Sequence, residues 1–187
     1  MLKKVYLLRH GRTDAADRHI YCGKSDLPLN RDGIAALQNH IYPKADSYYI
    51  TPCLRARQTL KILFGNVVHR ECPTLMEYDF GDFELCRHAE LQSDPGYLAW
   101  INDRTGKTSC PNGESRRQFI KRVTEGFQEI CSDDFISAAI IAHGGSISVL
   151  MERLFPEEKN FYEWQPDYGK GWLVLFSNNR PLSYSPL

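Results

Sequence analysis

The sequence predicts an α/β protein, a three-layer sandwich with a largely parallel central sheet flanked by helices. Three observations lead there. Short apolar runs of strand length alternate with stretches of helical periodicity from end to end. Two of those runs, Val5-Tyr6-Leu7-Leu8 and Ala138-Ala139-Ile140-Ile141-Ala142, are each followed by a histidine and glycine, in Arg9-His10-Gly11 and His143-Gly144-Gly145. Ligands of open α/β sheets bind at the carboxyl ends of the strands, so both histidines are expected at one crevice. The length of 187 residues suits one domain over 1–187 with a real core and leaves little room for two.

The elements follow in order. Residues 5–8 read as a buried strand. After a loop with Gly23, Asp26, Pro28 and Leu29, Asn30 can cap a helix whose apolar positions are Ile34, Leu37 and Ile41. Tyr48-Tyr49-Ile50 reads as the second strand. Thr51-Pro52 reads as an N-cap followed by proline at the first helical position, opening a helix through Leu54, Ala56 and Leu60 to about Gly65. Val67-Val68-His69 predicts a third strand. A long irregular stretch then runs from Cys72 to about Asn112, with short helices expected at 89–91 and 97–101. Ser115 opens a stronger helix with Phe119, Val123, Phe127 and Ile130 on one face. The strand at 138–142 follows, then a helix from Ser146 to Phe155 stopped by Pro156. Gly171 to Phe176 reads as the last strand, and the stretch from Asn178 to Leu187 as a loose polar tail.

Composition excludes several classes of function. Lys+Arg and Asp+Glu both total 23, so no global basic field gathers nucleic acid or an anionic membrane. Neither is expected as a partner, and anion binding has to come from a local pocket. The six cysteines, at 22, 53, 72, 86, 110 and 131, contain no Cys-x-x-Cys pair, which argues against a zinc ribbon or a thioredoxin-like site. No apolar run reaches the roughly 18 residues of a spanning helix, and the run after Met1-Leu2-Lys3-Lys4 is too short for a signal peptide. The expectation is a reduced, cytoplasmic protein without disulfides.

The residues at the strand ends suit phosphoryl chemistry. The Arg9 guanidinium can pair with phosphate oxygens through two parallel hydrogen bonds, and Gly11 lets backbone amides approach an anion. His10 can attack phosphorus if one ring nitrogen is unprotonated and the other is fixed by a hydrogen bond. His143 precedes a helix N-terminus, which favours anions. Arg55 and Arg57 lie about 200° apart on their helix, so only one of them faces a given pocket. An acid for the leaving group has to come from Glu77, Asp79, Asp82 or Glu84, and spacing does not choose among them.

Six blocks, in order, resemble the histidine phosphatase superfamily, the phosphoglycerate mutase-like proteins. They are Arg9-His10-Gly11-Arg12-Thr13; the segment with Gly23, Asp26, Pro28-Leu29 and Gly33; Thr51-Pro52-Cys53-Leu54-Arg55-Ala56-Arg57-Gln58-Thr59; Leu75-x-Glu77-x-Asp79-Phe80-Gly81-x-Phe83-Glu84; Pro111-x-Gly113-Glu114-Ser115; and Ala142-His143-Gly144-Gly145. The resemblance spans Tyr6 to about Leu154. It implies a phosphoglycerate mutase-like fold with a small cap-like region at about 77–112. It selects Arg55 over Arg57 and Glu77 over the other carboxylates. It also implies His10 as nucleophile and Glu77 as acid and base, with Arg9, Arg55, His143, Gly144, Gly23 and Thr13 around the phosphate. No metal and no cofactor is implied. The sequence departs from the family at three positions. Position 12 is Arg where Glu is frequent, position 16 is Ala where an Asn often contacts phosphate, and Leu85 replaces a common glycine.

Mutases of the resembled family usually carry a longer insertion between the acid and the second histidine, so the resemblance, with this compact stretch, implies hydrolysis over mutase chemistry. Residues 77–100, with His88, Tyr97 and Trp100, resemble the α-ribazole phosphatases of cobalamin assembly, so a small phosphomonoester such as α-ribazole 5′-phosphate is the expected partner. The alternatives are a broad-specificity or sugar-phosphate phosphatase, a phosphoglycerate mutase, a metallohydrolase and a non-catalytic phosphate-binding scaffold.

Overall fold

Strands buried on both faces dictate the centre of the molecule. A computed structural model describes residues 2–156 and 158–187. Its six strands are β1 (Leu2–Arg9), β2 (Ser47–Ile50), β3 (Arg70–Glu71), β4 (Ser137–Ala142), β5 (Gly171–Ser177) and β6 (Arg180–Pro186). They form one sheet in the order β3-β2-β4-β1-β5-β6. β1 to β4 run parallel, and β5 pairs antiparallel with both β1 and β6. The helices are α1 (Asp14–Asp17), α2 (Arg31–Gln38), α3 (Leu54–Phe64), α4 (His88–Leu91), α5 (Pro95–Ile101), α6 (Arg116–Ser132) and α7 (Gly144–Leu154).

Period-two alternation sorts the strand residues between two cores. Tyr6, Leu8, Ile50 and Ile141 pack with Ala56 and Leu60 of α3 on one face. Val5, Leu7, Ile140 and Ala142 pack with Phe119, Val123 and Ile130 of α6 and with Ile147 and Leu150 of α7 on the other. The expected three layers are therefore present. Asn30 caps α2 by accepting from Gly33 N at 2.7 Å, and Ser115 caps α6 in a capping box with Gln118.

Several expected boundaries are corrected. Helix α2 ends at Gln38, and Ile41 lies beyond it, exposed. α3 starts at Leu54, with Cys53 at the N-cap; Cys53 N donates to Thr51 O at 2.8 Å, so Thr51-Pro52 makes a bend and not the first turn. The third strand is Arg70–Glu71, because these residues, and not 67–69, pair with Tyr49 and Ile50 on the side away from β4; Val68 is exposed. α7 begins at Gly144, directly after His143. The supposed tail is strand β6. Asn178 and Asn179, with φ of 50° and 60°, make the two-residue turn between β5 and β6.

Candidate active site

Strand register brings the two histidines together. Arg9 of β1 lies opposite Ala142 of β4, and His10 N donates to Ala142 O at 3.0 Å. The next side chains, His10 and His143, therefore leave the sheet side by side, with ring centroids 5.1 Å apart and edge to face. β2, the other neighbour of β4, leads through the 51–53 bend to Arg55 in the first turn of α3. Three adjacent parallel strands thus lead at their carboxyl ends to site residues: Arg9 and His10 from β1, His143 from β4, and Arg55 beyond β2.

Each side chain has a defined setting. His10 Nδ1 is 2.7 Å from Gly11 O, a contact that requires the proton on Nδ1 and leaves Nε2 with a free lone pair. Burial lowers the His10 pKa well below 6.5, and Arg55 and Arg9 lower it further against the raising effect of the Gly11 bond. His143 is fully buried, and its pKa is likewise pushed down, first by burial and then by Arg55, His10 and Arg9. Its Nδ1 lies 3.3 Å from Arg55 Nη2, while its Nε2 is buried without a partner. Arg9 Nε is also buried without one; Arg9 Nη1 donates to Pro166 O at 2.8 Å, and its guanidinium lies 3.7 Å from the Tyr168 ring centroid. Two orphaned nitrogens beside two guanidiniums make a site that an anion would satisfy.

Arg55 is held by the carbonyls of Ser25 and Gly23, at 2.7 and 2.8 Å. Glu84 turns those carbonyls toward it by accepting from Gly23 N and Ser25 N. The expected approach of Gly23 to phosphate is therefore corrected: its amide is committed to Glu84, and its carbonyl supports Arg55. A β-carbon on Gly23 would also collide with Tyr78 O.

Glu77 accepts from Tyr78 N at 2.9 Å and from Gly145 N at 2.8 Å. Arg122 of α6 fixes its loop, donating to the carbonyls of Thr74, Met76 and Glu77 and pairing with Glu114. The two glycines after His143 have separate steric reasons. A β-carbon on Gly145 would collide with the Glu77 carboxylate, and one on Gly144 would meet Gln165 Nε2 and Arg9 Cζ. Gly144, expected around the phosphate, makes room for side chains at the site, and the amide of Gly145 at the same helix N-terminus is occupied by Glu77.

A cavity of about 160 Å³ collects Arg9, His10, Thr13, Arg55 and Glu77, with Ala16, Gln165 and Tyr168 among its other walls. His143 is not among its walls, and its ring centroid lies 5.1 Å from that of His10. Asp79 pairs with Lys24 and Asp82 with Asn112, and Arg57 pairs with Glu71 on the outside of α3. Arg12 does not compensate for Ala16: it bonds Asp17 in solvent and lies outside this cavity. Through Glu77, Tyr21, Phe80 and Gln165 the small cavity adjoins a second one of about 390 Å³, walled also by Tyr78, Trp100, Arg116 and Phe161. Of the two cap aromatics, Tyr97 is core and Trp100 lines that cavity. Sequence reasoning missed Arg122, Gln165 and Tyr168, whose roles depend on long-range packing; only Glu84 carried a signal, in the block with Glu77. Among the described residues no group of three or more His, Cys, Asp or Glu side chains is arranged to hold a metal ion. No helix among them is long and apolar enough to cross a membrane.

An α/β sheet that gathers two buried imidazoles, the buried Arg55, the half-buried Arg9 and a carboxylate at one edge suits a hydrolase of phosphoric monoesters. A model of the histidine phosphatase superfamily (branch 1) matches residues 5–181, and the chain belongs to that superfamily. It is 29% identical over 161 residues to an adenosylcobalamin/alpha-ribazole phosphatase of Escherichia coli K12, covering 81% of this chain and 78% of that one. It is 28% identical over 176 residues to a 2,3-bisphosphoglycerate-dependent phosphoglycerate mutase of Xanthobacter autotrophicus, covering 82% and 83%. The crystal structure of the alpha-ribazole phosphatase from Shigella flexneri superposes with a TM-score of 0.85 at 26% identity, over 95% of this chain and 93% of that one.

Proposed function

We propose that the protein hydrolyses a small phosphomonoester through a phosphohistidine on His10, without a metal or other cofactor. The observation that carries this reading is the His10–His143 pair, held neutral between Arg9 and Arg55 with His10 Nε2 free. His10 Nε2 attacks phosphorus in line, forming the N–P bond as the ester P–O bond breaks. The Nδ1–H bond to Gly11 O steadies the charge that develops on the ring. Arg9, Arg55 and His143 hold the phosphoryl oxygens where negative charge gathers, the task a magnesium ion has in other phosphoryl-transfer sites. Glu77, at the junction of the two cavities, protonates the leaving oxygen and then takes a proton from the water that cleaves the N–P bond. Inorganic phosphate leaves and His10 is restored.

The leaving group occupies the larger cavity. Its walls of Tyr21, Tyr78, Phe80 and Trp100 suit an aromatic, nucleoside-like group by stacking. α-Ribazole 5′-phosphate is such an ester, and the resemblance to α-ribazole phosphatases supports it. Retaining a bisphosphate, as a mutase does, calls for a second set of cations, whereas Arg116 there shares the cavity wall with Asp103. A small metabolite ester as partner and a cytoplasmic location fit a chain of zero net formal charge, without nucleic acid or membrane.

The test is phosphate release in excess chelator from α-ribazole 5′-phosphate, 3-phosphoglycerate and 4-nitrophenyl phosphate. The ribazole ester is expected to be preferred, and His10→Ala to abolish turnover of all three. Activity on the aryl ester alone would discard the substrate and keep the mechanism, and loss of activity in chelator would overturn the mechanism. Glu77→Gln is expected to lower kcat/KM, which reports the steps through leaving-group departure, at least tenfold more for the ribazole ester than for the nitrophenyl ester, whose leaving group needs little proton help. Equal losses would remove Glu77 as the acid.

A further inference from the structure

The loop between α7 and β5 brings a side chain to the site that no motif announced. Gln165 sits between Trp164, which is fully buried, and Pro166, which is also buried and whose carbonyl accepts from Arg9. Its backbone is pinned further by Gln165 N donating to Tyr162 O. The loop cannot slide without disturbing Arg9, because Tyr168 of the same segment lies over the Arg9 guanidinium. The Gln165 side chain is therefore delivered to a fixed place.

That place is the opening between the two cavities, both of which it lines. A β-carbon built on Gly144 would collide with Gln165 Nε2 and stand 3.0 Å from Arg9 Cζ. The amide nitrogen and the guanidinium thus converge on one spot at the first residue of α7, beside His143. Among the described residues the Gln165 carboxamide has no hydrogen-bond partner. A neutral donor is held next to a cation, at a helix N-terminus, with its hydrogens unassigned. Elsewhere on the wall of the same cavity, position 16 offers only a methyl group, and Arg12 bonds Asp17 outside it.

We propose that Gln165 is a further catalytic residue of this site: its Nε2 donates a hydrogen bond to a non-bridging oxygen of the bound phosphoryl group, beside Arg9. This rests on the reading of the small cavity as the phosphoryl site. Being uncharged, the amide adds a directed donor without adding a third permanent cation to the pair Arg9 and Arg55. Its carbonyl end is free to face the leaving-group cavity, so one side chain touches both halves of the ester.

Inorganic phosphate is the probe, because its affinity can be read by titration calorimetry without turnover. Gln165→Ala is expected to weaken phosphate binding by at least about tenfold, the worth of one hydrogen bond to a charged partner. Gln165→Glu, nearly the same shape with a carboxylate against the anion, is expected to weaken it by on the order of a hundredfold. Gln165→Arg keeps a donor there and is expected to stay within about threefold of the wild type. The residue is exposed, so the variants should fold, which the far-UV circular dichroism of each checks. Wild-type affinity in both Gln165→Ala and Gln165→Glu would overturn the contact, as would equal weakening in all three variants. Wild-type protein that binds phosphate but releases none from any ester would overturn the hydrolase mechanism while the affinities still decide the contact. Wild-type protein that binds no phosphate would overturn both.

Discussion

The most consequential residues are the two imidazoles, and their burial makes the stability of the protein depend on pH. His10 and His143 are held well below 6.5 by desolvation first and by neighbouring guanidiniums second. In the unfolded chain both are ordinary histidines, so below about pH 6.5 the unfolded state binds two protons that the native state refuses. Stability is then expected to fall as pH drops from 7.5 toward 5.5, with a slope reaching about 2.7 kcal/mol per pH unit where both unfolded histidines are charged. Urea titrations across that window measure it, and His143→Gln should remove about half of the slope. A flat profile would mean that the imidazoles are already protonated in the folded protein. These two residues, and Arg9, were legible in the sequence because each abuts a strand, and strand order carried them to the same edge. Arg55 and Glu77 were legible only through resemblance, since helix periodicity left Arg57 open and spacing left three other carboxylates. Gln165 and Arg122 gave no local signal. Their positions follow from where a long loop and a distant helix pack.

At the scale of elements, hydrophobic periodicity identified what is buried and failed where turn chemistry decides. The helix at Ser115 was readable because four apolar residues share a face and the cap is a serine; Phe119, Val123, Phe127 and Ile130 are all buried. β6 was unreadable by the same criterion, since it is an edge strand of mostly exposed residues. Its signal is the Asn178-Asn179 pair, two residues that tolerate positive φ, at a position where a hairpin turn needs two in succession. β6 anchors itself through Tyr184, whose ring packs 5.0 Å from Trp164 and 4.7 Å from Phe155. Asn179→Gly should therefore leave the protein as stable or raise it by up to about 1 kcal/mol, because glycine takes this conformation without a β-carbon penalty. Asn179→Val should cost about 1 kcal/mol or more, since a β-branched side chain is strained there. Denaturant midpoints compare the three proteins. Equal stability of all three would show that residues 178–187 contribute nothing as a strand.

For the whole molecule, the question is whether the stretch at 77–112 moves with the sheet or apart from it. Its apolar residues do not form a core of their own. Tyr78, Phe83, Leu91, Tyr97 and Cys110 belong to the same buried cluster as Phe119 of α6, Val5 and Leu7 of β1 and Ile140 of β4. Polar contacts run the same way: Asp79 N donates to Glu114, and Tyr21 N donates to Cys86 O, joining the segment after β1 to the cap. The floor of the larger cavity is part of this cluster through Tyr78 and Phe119, so a cap that opened alone would expose core and dismantle the Glu77 loop with it. One cooperative transition is therefore expected on urea unfolding. Far-UV circular dichroism, which reports the sheet and the long helices, should coincide with the near-UV signal of the aromatic cluster around Tyr21, Phe80, Tyr97 and Trp100. A near-UV transition at lower denaturant would identify the cap as a separate cooperative unit. Phosphate then provides the link to the site. Bound between Arg9 and Arg55, it should move both signals together to higher urea, because stabilising the strand ends stabilises the cap packed against them.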